Sequence, residues 1–108
     1  MFILFLGAPS PPKNLTPIDV TSRCVKLQWS PPENTGGTDI TGYVIERKLS
    51  TESKWTKVVT LDSSVLQYSV ENLKEKSEYY FRVYAENAVG LSSPATTELI
   101  RLKTHASK

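Results

Sequence analysis

The segment Leu73-Lys-Glu-Lys-Ser-Glu-Tyr79-Tyr-Phe-Arg-Val-Tyr-Ala-Glu-Asn87 constrains this chain more than any other. From Tyr79 onward it alternates strictly: Tyr79, Phe81, Val83 and Ala85 against Tyr80, Arg82, Tyr84 and Glu86. Period two is the signature of a strand with one buried face. Upstream, Val25, Leu27 and Trp29 alternate with Lys26, Gln28 and Ser30 in the same way. Two strands with opposed apolar faces, one carrying a tryptophan, are what two stacked sheets need to close a core between them.

Punctuation divides the rest. Pro31-Pro32 stops the tryptophan strand, and a polar loop with Gly36 and Gly37 follows, where glycine takes positive φ at little steric cost. Further extended runs are Ile40 to Lys48, Trp55 to Val59, Gln67 to Val70 and Thr96 to Lys103, with an early one at Leu15 to Val20. No segment has an apolar period near 3.6. Seven strands spaced by turn signals predict an all-β, antiparallel two-sheet sandwich, and the missing helices exclude a parallel α/β design.

Composition narrows the function classes. At 108 residues the chain has room for one core. Thirteen Lys and Arg face eleven Asp and Glu, a formal charge of +2 scattered along the whole length, which argues against nucleic acid as a partner. A single cysteine, Cys24, excludes an internal disulfide and fits a reducing compartment. The apolar run Met1 to Gly7 is too short to span a bilayer, which takes about 20 residues. It reads as a tag or isoform remnant, residues 1–8, with Met1 to Leu6 able to act as a sticky edge in self-association. Ala8 to Pro12 reads as a stiff linker.

Catalysis and cofactors find no footing. His105, the only histidine, lies in a tail at 105–108, and with Cys24 it makes two of the three or four ligands that zinc requires. The carboxylates are dispersed singly. Gly36-Gly37 lacks the lysine and the following helix of a phosphate loop. Cys24 reads as an inert, partly covered thiol, and Asn14-Leu-Thr16 matters as a glycosylation triplet only in a secreted protein.

The series Pro11-Pro12, Trp29-Ser-Pro-Pro32, Gly36-Gly37, Gly42-Tyr-Val-Ile-Glu-Arg47, Trp55, Leu73 to Tyr79, Phe81-Arg-Val83, Ala85-Glu-Asn87 and Gly90-Leu-Ser-Ser-Pro94 resembles a fibronectin type III domain, an immunoglobulin-like sandwich, over residues 9–104. Within that family it is most similar to modules of giant muscle filament proteins. One departure is Thr35, where such modules usually carry Asp before the glycine pair; the expectation is a lost side-chain-to-backbone bond in the loop, or a weaker one made by Thr.

The resemblance implies a structural core of Leu27, Trp29, Tyr43, Ile45, Val70, Leu73, Tyr79, Phe81 and Val83. Tyr79 becomes a corner residue whose hydroxyl reaches back to backbone near Leu73. Trp55, Gly36 and Gly37 are the candidate protein contacts. The implied function is a non-catalytic, monomeric module of a tandem array in the cytoplasm, at the sarcomere, acting as spacer, docking surface and force-bearing element. Its implied partners are neighbouring immunoglobulin-like or fibronectin type III modules and filament proteins. The alternative is an extracellular adhesion or receptor module binding through its loops, although the integrin-type Arg-Gly-Asp triplet is absent.

Overall fold

The computed structural model describes residues 5–104, which contain eight strands and no helix. They are β1 (Lys13–Val20), β2 (Val25–Ser30), β3 (Ile40–Leu49), β4 (Thr56–Asp62), β5 (Gln67–Val70), β6 (Glu78–Asn87), β7 (Ala95–Thr96) and β8 (Ile100–Arg101). One sheet has the order β1-β2-β5; the other runs β4-β3-β6-β7, with β8 also paired to β6. All pairings are antiparallel.

The eighth strand is a difference from the sequence expectation of seven, and its cause is local. The run expected from Thr96 to Lys103 is broken in the middle, so that β7 and β8 are two short pieces of one crossing along β6. Thr97 sits between them, buried. Its backbone N–H donates to the Phe81 carbonyl at 2.8 Å, while its hydroxyl accepts from the Phe81 N–H at 3.1 Å. A side chain replaces one rung of the ladder there, and residues 97–99 fall between the two strand pieces.

Alternation is what buries the core. Along β6 every second residue, from Tyr79 to Asn87, is buried. Val25, Leu27 and Trp29 face them from the other sheet, with Tyr43, Ile45, Val70, Leu73, Ile100 and Leu102 completing the cluster. Trp29 packs its ring 5.6 Å from that of Tyr43, tilted by 59°. Its indole N–H is buried with no hydrogen-bond partner among the described residues, so the ring is held by packing. Tyr79 stacks on Phe81 at 5.8 Å, and its hydroxyl accepts the backbone N–H of Lys74 at 2.9 Å, closing the loop before β6.

Strand pairing also fixes where the chain starts and stops. Lys13 lies opposite Ser30 and Ser10 N–H bonds to Asn34, so the N-terminal segment joins the 31–40 and 87–91 loops at one pole. At the other end Leu102 N–H reaches the Ser77 carbonyl and Lys103 N–H reaches Thr21 at the end of β1. The two ends of the described segment therefore lie at opposite poles.

Candidate interaction surfaces

The outer face of the larger sheet carries an interlocked set of aromatic rings and cations. Register sets Glu46 opposite Arg82 and Lys48 opposite Tyr80, and the period of two turns all four, with Tyr84, away from the core. Trp55, just ahead of β4, is half-buried beside them. The Arg82 guanidinium lies 4.1 Å from the centre of the Trp55 ring and 5.3 Å from that of Tyr84. The Lys48 ammonium is shared between Trp55 and Tyr80, at 5.6 and 5.0 Å. Contacts of this kind draw the cation to the electron-rich ring face.

One carboxylate anchors the set. Glu46 Oε1 accepts from Arg82 Nε at 2.7 Å and from the Tyr84 hydroxyl at 2.9 Å. Burial pushes the Tyr84 hydroxyl above its ordinary pKa, and its hydrogen bond to Glu46 adds to the shift while Arg82 opposes it. The side chains of Arg82 and Glu46 are only 24% and 21% exposed, so water screens this pair less than an open surface pair. The result is an interlocked surface of Trp, Tyr and Arg, residue types enriched at the energetic centres of protein interfaces.

At the N-terminal pole, the Gly36–Gly37 loop carries a side-chain bond from a neighbouring residue. The Asn34 side chain accepts the Gly36 N–H at 2.8 Å. Gly36 and Gly37 have φ of 83° and 90°, the left-handed region that favours glycine. Both are occupied by the chain's own beginning: Gly7 N–H donates to the Gly36 carbonyl, and a Cβ added to Gly36 would collide with the Gly7 carbonyl oxygen. The stretch expected as a stiff linker is fastened to the body, with Pro9 and Pro12 buried.

Asn87 holds this pole together. Its amide nitrogen donates to the carbonyls of Gly7 and Thr35, both at 2.8 Å, and its amide oxygen accepts from Val89 and Gly90 N–H. Sequence reasoning gave Asn87 no role. The only signal was a polar residue in the buried phase of β6. It likewise missed Glu46, Lys48, Tyr80, Arg82 and Tyr84 as one surface, although their shared outward phase was readable.

Chemistry-bearing groups are not assembled. Among the described residues no group of three or more His, Cys, Asp or Glu could hold a metal ion. Cys24 is half-buried and free, and His105 lies outside the described residues. No helix among the described residues is long and apolar enough to cross a membrane.

This sandwich, with its corner tyrosine and its tryptophan between the sheets, belongs to the fibronectin type III domain family, whose model matches residues 10–99. Among curated proteins the chain is 60% identical over 100 residues to titin of Drosophila melanogaster, covering 93% of the chain and 1% of that protein. It is 33% identical over 106 residues to myosin-binding protein H-like of Mus musculus, covering 96% of the chain and 30% of that protein. A solved titin module from human cardiac muscle superposes with a TM-score of 0.76 at 33% identity, covering 87% of this chain and 92% of that one. The chain thus spans a small part of its curated relatives.

Proposed function

We propose that this chain is a non-catalytic module of a titin-like muscle protein built from tandem domains, serving in the sarcomere as spacer, docking surface and force-bearing element. The observation that carries the reading is the placement of the two ends of the described segment at opposite poles, each tied to the body by backbone hydrogen bonds. A module threaded in this way adds its length to an array. Tension through the termini runs along β1 and the β7–β8 crossing, loading ladder hydrogen bonds in shear. The Trp55, Arg82 and Tyr84 face supplies a docking surface for filament proteins, because its rings and cation are already held against one another.

Small-angle scattering from two copies joined end to end tests the spacer role. An extended particle with a maximum dimension near twice that of one copy supports it. A folded-back particle little longer than one copy contradicts it.

A further inference from the structure

The two sheets leave a seam open along one side. Among the described residues β4 pairs with β3 alone and β5 with β2 alone, so each ends its sheet with one edge unpaired. A cavity of about 520 Å³ bridges the two edges, its lining including Arg47 of β3, Lys57 of β4, Tyr68 and Ser69 of β5, and Glu71 and Asn72 beyond it. No residue of the two anchored end segments, 7–10 and 102–104, lines it, so a neighbour at either pole is compatible with its use.

The lining is rich in unspent donors. Among the described residues the side chains of Arg47, Lys57, Tyr68, Ser69 and Asn72 make no hydrogen bond or ion pair. The guanidinium and the ammonium group can only donate. Against them stands Glu71, which pairs with neither. Two cations less one carboxylate leave a single positive charge, which matches a carboxylate better than a phosphate carrying about −1.5 to −2.

The edge says how that carboxylate is presented. β4 runs extended over seven residues, Thr56–Asp62, without proline. Such an edge accepts an added strand through backbone hydrogen bonds. Its register slips at Val58, between the Ile45–Val59 and Glu46–Lys57 pairs. A bulge and a lysine on an edge discourage pairing with a neutral or like-charged strand, the β4 of a second copy included, whereas opposite charge across the pair is favourable.

We infer that an extended acidic segment of a partner protein adds as a strand to β4, with one carboxylate seated between Arg47 and Lys57 in the seam. Backbone pairing orients the segment, and the charge-assisted bonds select its sequence. The site is separate from the Trp55 face, and the inference stands whether or not the module bears force.

Backbone NMR of the full isotope-labelled chain, titrated with a blocked octapeptide of alternating Thr and Glu, is the measurement. Shifts should run through the Thr56–Asp62 amides, and hydrogen exchange there should slow. A peptide with Gln in place of Glu should bind about tenfold more weakly or worse, as should the acidic peptide to Arg47→Gln/Lys57→Gln, since the charge-assisted bonds are lost. The acidic peptide N-methylated at its two central residues keeps its charge but has both edges blocked, and should lose about as much. These peptide comparisons use the unaltered chain, so they decide the matter even where the double variant misfolds. No shift at about 1 mM peptide overturns the inference, as does equal affinity for the methylated or the Gln peptide. Inorganic phosphate reproducing the same shifts reduces the site to a simple anion pocket and overturns it too. Shifts centred on Trp55 and Tyr84 overturn it and assign the peptide to the outer face.

Discussion

The side-chain amide of Asn87 donates to the carbonyl of Gly7 across 80 residues of sequence, at 2.8 Å. This bond ties the N-terminal segment to the end of β6 in a part-buried setting. Replacing Asn87 by Ala leaves the Gly7 and Thr35 carbonyls and the Val89 and Gly90 N–H groups without their partner. Leaving buried groups unpaired costs roughly 1–3 kcal/mol, and because these partners are only part-buried the loss of the whole hub should fall within that range. Chemical denaturation of N87A checks it.

Trimming the N-terminus should be graded by the same contacts. Removing residues 1–6 leaves the Gly7 bonds in place, and the unfolding midpoint should hardly move. Removing residues 1–8 deletes both Gly7 bonds and should cost about 1–2 kcal/mol. Thermal melts of the full chain and the two trimmed forms distinguish this anchored segment from a free linker, for which both deletions would be silent.

At Gly36, positive φ and crowding act together. Gly36→Ala places a methyl group against the Gly7 carbonyl oxygen and 2.7 Å from Asn87 Nδ2. We expect a loss larger than the roughly 1–2 kcal/mol of backbone strain alone. Gly7→Ala, where an added Cβ meets nothing within 4 Å, should change little.

Tyr79→Phe keeps the ring and removes the acceptor for Lys74 N–H, so a loss of about 0.5–1.5 kcal/mol is expected. Tyr80→Phe should cost much less, since its ring lies on the outer face under Lys48. Equilibrium unfolding of both variants gives the comparison, and a larger loss for Tyr80 would reverse the phase of β6.

Acid should weaken the turn after β4. Asp62 accepts the backbone N–H and the hydroxyl of Ser64, both at 2.9 Å, and these bonds hold its carboxyl below the ordinary value of 3.8. The folded pKa is depressed, so the stabilisation is present above the unfolded value and is lost as pH falls through the folded one. Side-chain carboxyl NMR should show Asp62 titrating below the ordinary value, and Asp62→Asn should flatten the acid side of the stability profile.

The sandwich was legible where packing and pattern coincide. In β2 and β6 the period-two alternation corresponds to burial residue by residue, because each strand has one core face and one other face. The break between β7 and β8 was not, since Thr97 reads as one more polar residue in a strand until its hydroxyl is seen taking the place of a carbonyl. Nor was the seating of residues 7–10, because prolines announce stiffness without saying what the stiff segment lies on. The outer surface was half legible. Its residues share a phase that sequence displays, while the ring-to-cation distances arise only from the register between β3 and β6.

Force spectroscopy on identical copies joined in tandem tests the load-bearing account most directly. Forced unfolding is governed by the unfolding rate, and shear across β1 and the final crossing requires several hydrogen bonds to fail together. The account predicts discrete, equal unfolding steps, each releasing roughly 300 Å of chain for a body of some ninety residues. Gradual lengthening without steps would contradict it.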